Sequence, residues 1–171
     1  ISRLGGRLDK SEIDSINSLV DSYDSELKTG VTVLDVLLGE VSARCRTLGI
    51  KFTFLGDATR LETMAPADIY SLFGNALDNA IEAVSKLTVD EMKQIGMTVE
   101  PREGYVFVSV YNYYSGELDM AGDLPASTKK TGAGYHGYGL KSIRLIAERY
   151  GGDISYSASG GIFRLGIRLK S

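Results

Sequence analysis

The stretch LFGNALDNAIEAV at residues 72–84 restricts the fold more than any other part of the chain, because a helix separates its polar and apolar side chains cleanly. At about 100° per residue, Asn75, Asp78, Asn79 and Glu82 lie within one arc, opposite a broad apolar face. The arc holds two amides and two carboxylates but no Lys or Arg, which is unusual for a helix face that only meets water. On this pattern, a hydrated polar face and a ligand-binding face both remain open.

The rest of the chain predicts a mixed domain of helices and strands around this helix. Apolar residues at helical spacing predict helices over residues 11–27, 32–48, 66–87 and 138–150. Alternating apolar residues predict strands over residues 50–55, 96–100 and 105–112, followed by two C-terminal strands, DISYSA and GIFRLGIRL, joined at SGG. Residues 113–137 show no regular pattern, and an irregular segment of that length in a compact domain is typical of a functional loop or of disorder.

Composition narrows the class of protein. The chain has 171 residues, of which 43% are hydrophobic and 24% charged, and this fits one globular domain. The net charge is -3 and no run of Lys or Arg stands out, so nucleic acid is not an expected partner. Cys45 is the single cysteine, which excludes a disulfide or a cysteine metal cluster within one chain.

A second motif, TGAGYHGYGLKSI, places several glycines directly before a predicted helix. Glycines let backbone N–H groups approach phosphate oxygens, and a helix N-terminus adds partial positive charge where an anion would bind. The spacing fits neither the P-loop nor the dinucleotide fingerprint. A flexible surface loop explains the same glycines equally well.

A third motif, STKK at residues 127–130, supplies hydroxyl and ammonium groups that suit phosphate, or else a solvated charge cluster. His136 is the only histidine, so neither a histidine metal site nor a Ser/His/Asp triad is available without it. Its position between glycines favours a loop residue over a general base.

Taken together and in this order, the three motifs resemble the ATP-binding domain shared by gyrase-type ATPases, ATP-dependent heat-shock chaperones, sensor histidine kinases and MutL proteins. NALDNAIEA is similar to the N box of that superfamily, and STKKTGAGYHGYGLKSI to its last glycine box. The resemblance covers about residues 31–170. It implies an α+β fold: a two-layer α/β sandwich whose mixed, mostly antiparallel sheet is covered on one face by helices (the Bergerat fold), with an extra N-terminal helix.

Within that superfamily, the chain is most similar to sensor histidine kinases of the peptide-pheromone receptor type (AgrC-like), which act in quorum sensing. This resemblance implies that residues 1–28 are a remnant of the dimerisation and phosphoacceptor segment and that residues 29–171 form the ATP-binding domain. The implied partners are that segment and a response regulator. The whole protein is then expected to be a membrane-anchored homodimer in a bacterium, with this chain on its cytoplasmic side.

The resemblance also implies ATP and Mg²⁺ as cofactors, with Asn79 as the Mg²⁺ ligand. Asn75 takes the catalytic position at which hydrolysing relatives carry Glu, and an amide cannot act as a general base, so phosphoryl transfer to histidine is favoured over hydrolysis. The implied nucleotide-binding residues are Asn75, Asp78, Asn79, Glu82, Asn112, Ser127, Thr128, Lys129, Lys130, His136, Gly137, Tyr138, Gly139 and Leu140.

The chain departs from its relatives at the residues that contact adenine. VYNYYSG stands where most relatives carry DxGxG, so the adenine contact falls to Asn112, to Asp119 or Asp123, or to backbone and water. Two alternatives to a kinase stay open: a non-catalytic nucleotide-sensing or partner-binding module of the same fold, and an ATP-driven clamp. The Asn at position 75 argues against the clamp.

Overall fold

The computed structural model describes residues 27–115, 120–121, 124–125 and 139–171. These residues contain three α-helices, α1 (Thr32–Thr47), α2 (Pro66–Ser85) and α3 (Gly139–Arg149), and two 3-10 turns, Thr59–Leu61 and Asp90–Met92. The strands are β1 (Lys51–Gly56), β2 (Gln94–Arg102), β3 (Tyr105–Tyr113), β4 (Met120–Ala121), β5 (Leu124–Pro125), β6 (Asp153–Ser159) and β7 (Ile162–Lys170). The helix predicted over residues 11–27 lies almost wholly outside the described residues, as does nearly all of the dimerisation segment expected at residues 1–28.

Five strands form one sheet in the order β1-β2-β3-β7-β6. Strand β1 pairs with β2 in parallel, and the other three pairs are antiparallel. The three helices and the inner sheet face enclose one hydrophobic core. The predicted α+β sandwich with a mixed, mostly antiparallel sheet is therefore confirmed.

The alternation of side chains explains why only one sheet face carries the core. On β3, Val106, Val108 and Val110 are buried, and their partners on β7 are Leu169, Ile167 and Leu165. Helix α2 completes the core with eight buried residues at helical spacing: Ile69, Leu72, Phe73, Ala76, Leu77, Ala80, Ile81 and Val84. The helix begins at Pro66, where the missing N–H costs no hydrogen bond.

Tight turns set the register of both hairpins. Glu103 and Gly104 have φ values of 41° and 83°, and Gly160 and Gly161 have 60° and 76°, so each hairpin closes with two left-handed residues. The first hairpin is longer than predicted, because β2 continues through Pro101 to Arg102. The backbone N–H and C=O groups of Val99 face β1, and the Val99 carbonyl accepts from the Asp57 N–H just beyond the end of that strand. Pro101 lies two residues further along β2 and faces the same way, so the N–H that it lacks would not have bonded to β3.

Two details differ from the sequence prediction. Residues 113–137 were expected to lack regular structure, yet β4 and β5 pair there as a two-residue antiparallel ladder. Helix α2 stops at Ser85, two residues before the predicted end. Gly49, with φ 67°, follows α1 in the left-handed conformation that glycine favours after a helix. Among the described helices, none has the length and apolar character needed to cross a membrane.

Candidate functional site

The polar stripe of α2 is present and accessible in the structure. Asn75, Asn79 and Glu82 are half-buried and Asp78 is exposed, while the opposite side of the helix is sealed in the core. The amphipathic period of the sequence therefore places these four side chains at the surface of the helical layer, where a ligand can reach them.

The first glycine of α3 lies against this stripe. A Cβ atom added to Gly139 would stand 3.3 Å from Oδ1 and 3.4 Å from Nδ2 of Asn79. Since the first N–H groups of a helix lack intrahelical partners, the start of α3 brings backbone donors and partial positive charge next to the Asn79 amide. The structure thus places Asn79 of the first motif beside Gly139 of the second, sixty residues further along the chain.

Asp78 has a protein partner that the sequence did not reveal. Arg44 of α1 donates from Nη1 to Asp78 Oδ1 at 2.6 Å, with the two side chains 53% and 60% exposed. A pair this exposed contributes about 1 kcal/mol or less to stability. No pattern in the sequence connects Arg44 with a residue 34 positions away, and the role of Asp78 in nucleotide binding stays a prediction.

Glu82 also has a neighbour on its own helix. Lys86 donates to Glu82 Oε1 at 3.3 Å, one turn further along the chain. The positive charge of Lys86 therefore lies at the end of the polar stripe, whose own four side chains are amides and carboxylates. The i,i+4 spacing of Glu82 and Lys86 was visible in the sequence.

Asn112 occupies the inner face of the sheet. It is only 3% exposed, its partners across the sheet are Ile95 and Phe163, and its Nδ2 donates to the Tyr113 carbonyl at 2.9 Å. Tyr111 points to the opposite face, where its ring fills the space above Gly96. Of these two adjacent residues, Asn112 alone faces the helical layer.

Several predicted site residues lie outside the described part of the chain. They are Ser127, Thr128, Lys129, Lys130, His136, Gly137 and Tyr138, together with the alternative adenine contacts Asp119 and Asp123. Leu140 is described and half-buried in the first turn of α3. Within the described ranges, no group of three or more His, Cys, Asp and Glu side chains is placed to hold a metal ion.

A second contact joins α2 and the end of α3, and no pattern in the sequence indicates it. Asp68, in the first turn of α2, accepts from Tyr150 Oη at 2.7 Å and from Arg149 Nη1 at 2.7 Å. The Ala65 N–H in turn donates to Tyr150 Oη at 3.1 Å. The Tyr150 hydroxyl, and then Arg149, hold the pKa of Asp68 below its usual range. We call this group the Asp68 clasp; it fastens the start of α2 to the end of α3.

Comparison with known proteins identifies the family. A family model described as a GHKL domain matches residues 64–170. The solved catalytic domain of histidine kinase ThkA, in a nucleotide-free form, is 26% identical with a TM-score of 0.58, over 80% of this chain and 91% of that chain. Acinetobacter baumannii histidine kinase AdeS shares the fold, with 15% identity and a TM-score of 0.56 over 96% of this chain and 86% of that chain. No curated protein matches the chain.

The family match begins just before α2 and ends at the last residue of β7. It therefore spans both sides of the contact between Asn79 and Gly139, as well as the whole sheet except β1. The chain belongs to the GHKL domain family, and its fold is that of solved histidine kinase catalytic domains.

Proposed function

We propose that this domain binds Mg-ATP between α2 and the N-terminus of α3 and transfers the γ-phosphoryl group to a histidine on a separate dimerisation segment. The observation that carries the proposal is the proximity of Asn79 to Gly139, because the amide oxygen of Asn79 then lies beside the N-terminus of α3, whose first N–H groups have no partners within the helix. Triphosphate needs hydrogen-bond donors for its oxygens, and it needs a bound cation, held by an oxygen ligand, to offset its charge.

Magnesium fits the donors present on the described stripe. Mg²⁺ binds through one or two protein oxygens and keeps water and phosphate in its other positions, so it does not need the carboxylate cluster that is absent from the described residues. Asn79 would supply an amide oxygen from its half-buried position, with Glu82 one turn away. Bound there, the ion would neutralise phosphate charge during transfer.

Asn75 supports transfer rather than hydrolysis. It lies one turn before Asn79 on the same half-buried stripe, and its amide cannot remove a proton from water. A neutral imidazole brings its own lone pair to phosphorus, so a histidine acceptor needs positioning more than it needs a base. We infer that the domain hydrolyses ATP poorly until an acceptor is aligned.

The wider setting follows from the same proposal. As a sensor kinase of the AgrC-like type, the domain would pair with its own dimerisation segment and pass phosphate to a response regulator in a bacterial signalling pathway. The chain would then form the cytoplasmic part of a membrane sensor.

Among the candidate adenine contacts, Asn112 is favoured because its buried amide is the polar side chain of β3 that faces the helices.

The test combines binding with transfer. Isothermal titration with Mg-ATP should show binding that Asn79→Ala reduces at least tenfold, while Gln94→Ala, an exposed amide at the start of β2, leaves affinity unchanged. Labelled ATP should then phosphorylate a dimerisation segment that carries its histidine and is supplied as a separate chain. Binding without transfer would favour the nucleotide-sensing module, and equal affinity of both variants and wild type would refute the site.

A further inference from the structure

The side of the sheet that faces away from the helices has an unusual surface. We call it the outer sheet face; it consists of the side chains that alternate with the core residues on all five strands. Phe107 at its centre is 41% exposed and Leu55 near the β1 edge is 75% exposed. None of the described helices covers this face, because α1, α2 and α3 pack together against the core side.

The outer sheet face is strongly basic although the chain is acidic. It carries five cations, Lys51, Arg102, Arg164, Arg168 and Lys170, against two carboxylates, Glu100 and Asp153. The whole chain has a net charge of -3. Positive charge is thus concentrated on one side of the domain, where it would attract an anionic partner.

Both carboxylates on this face are already engaged. Glu100 pairs with Arg102, and Asp153 accepts from Arg168 at 3.0 Å. Arg164 rests on the Tyr111 ring, 5.8 Å from its centroid, and no described carboxylate pairs with Arg164, Lys51 or Lys170. The face therefore retains positive charge that its own side chains do not balance.

The charge and the exposed apolar side chains of this face together define its partner. Phe107 and Leu55 lie on the same face as cations that no described carboxylate balances. Such a surface selects a partner that is carboxylate-rich and partly apolar.

The segment of this chain at residues 11–26 has that chemistry. Its sequence, SEIDSINSLVDSYDSE, has apolar residues at helical spacing and no Lys or Arg. It carries five carboxylates: Glu12, Asp14, Asp21, Asp24 and Glu26. A helix of that composition is marginally stable in water unless its apolar stripe finds a partner surface.

The chain enters the domain at the appropriate edge. The Thr29 carbonyl accepts from the Ala58 N–H just beyond β1, so the described chain begins beside the edge strand, with Leu27 packed against the core. A 16-residue helix is about 24 Å long, and five strands span about 19 Å, so the segment is long enough to cross the sheet. The covalent connection also gives the segment a high effective concentration at this surface.

We propose that the outer sheet face is a docking surface for the acidic segment at residues 11–26 of the same chain. Its carboxylates meet Arg164 and Lys51, and its apolar stripe covers Phe107 and Leu55. Docking withdraws that stripe from pairing with another helix, so the surface competes with dimerisation through the same segment. Nothing in this inference depends on nucleotide binding.

Hydrogen exchange on the full chain tests the proposal. The amides of residues 11–26 should exchange about tenfold or more slower than an unstructured segment, as for a docked population near nine-tenths. Arg164→Glu and, separately, Lys51→Glu should each reduce that protection severalfold, and so should high salt. Arg46→Glu makes the same charge change at an exposed position of α1 and should leave the protection unchanged.

Light scattering and thermal unfolding complete the design. The protected state should be monomeric and independent of concentration, and both outer-face variants should keep the cooperative unfolding of the wild type. Protection that requires a dimer, that survives both charge reversals, or that is absent from the monomer would overturn the proposal. If Arg164→Glu unfolds the domain, Lys51→Glu at the exposed edge decides the result alone.

Discussion

Replacing Gly139 with Ala separates nucleotide binding from stability. The added Cβ would lie 3.3 Å from Asn79 Oδ1 and 3.4 Å from Asn79 Nδ2, closer than nearly all real Cβ contacts. Because Asn79 is half-buried at the surface of α2, its side chain is the group that moves, by a few tenths of an ångström. Gly139 is the first residue of α3, and alanine adopts the helical conformation readily.

The two effects of this substitution have different magnitudes. In a helix, Ala is more stable than Gly by about 0.5–1 kcal/mol, and the tight contact offsets part of this gain, so the free energy of unfolding should change by about 1 kcal/mol or less. Displacing the Asn79 amide by a few tenths of an ångström weakens its bond to a charged ligand, and complete loss of such a bond costs about 1.5–3 kcal/mol. The affinity for Mg-ATP should therefore fall, by up to roughly 150-fold.

Isothermal titration with Mg-ATP and urea unfolding measure the two quantities on the same sample. Gly39→Ala is the matched control, because Gly39 lies inside α1 and an added Cβ meets nothing within 4 Å. It should stabilise the domain by a similar amount and leave affinity unchanged. If Gly139→Ala binds Mg-ATP as tightly as wild type, the contact between Asn79 and α3 is not part of the nucleotide site.

Three further outcomes are expected. Asp68→Asn should make the free energy of unfolding, measured in urea, less dependent on pH in the acid range. The clasp lowers the pKa of Asp68 in the folded state, so its ionised carboxylate stabilises the fold above the usual carboxyl pKa of about 4. In the wild type this stabilisation is lost as pH falls through the lowered pKa. Leu38→Ala, at a fully buried position of α1, should cost about 2–5 kcal/mol, seen as a lower urea midpoint, whereas Val36→Ala at an exposed position should cost far less. Labelled ATP should leave His136 unlabelled in the isolated chain, and acid-labile phosphate on His136 would contradict the assignment of a separate acceptor.

Local patterns predicted most of the elements because their causes are local. The 3.6-residue period of α2, with Pro66 at its start, fixed which side chains face the core. Two positive-φ residues at each hairpin turn fixed the pairing of β2 with β3 and of β6 with β7. The overall sandwich came from resemblance to a family, since strand order depends on contacts that no short window contains.

Long-range polar contacts could not be predicted in the same way. Arg44 and Asp78 are 34 residues apart, and Asp68 and Tyr150 are 82 residues apart. Each partner is an ordinary polar residue on a helix or, for Tyr150, just past the end of one. The orientation of Asn112 was different, because it has the parity of Val106, Val108 and Val110 on β3. The alternation of side chains along a strand therefore predicts that the Asn112 amide faces the core side of the sheet.

The two contacts between α2 and α3 explain how the candidate site holds its geometry. Asp68 and Asn79 are eleven residues apart on α2, and Gly139 and Tyr150 are eleven residues apart from the start of α3 to just past its end. At about 1.5 Å per residue, both spans are about 16 Å, so the Asp68 clasp and the Asn79–Gly139 contact pin the antiparallel helices at matching distances. A slip of one residue would shift Gly139 by about 1.5 Å along its helix and so change its position beside Asn79. The clasp therefore sets the register of α3, and through it the position of the backbone donors beside Asn79.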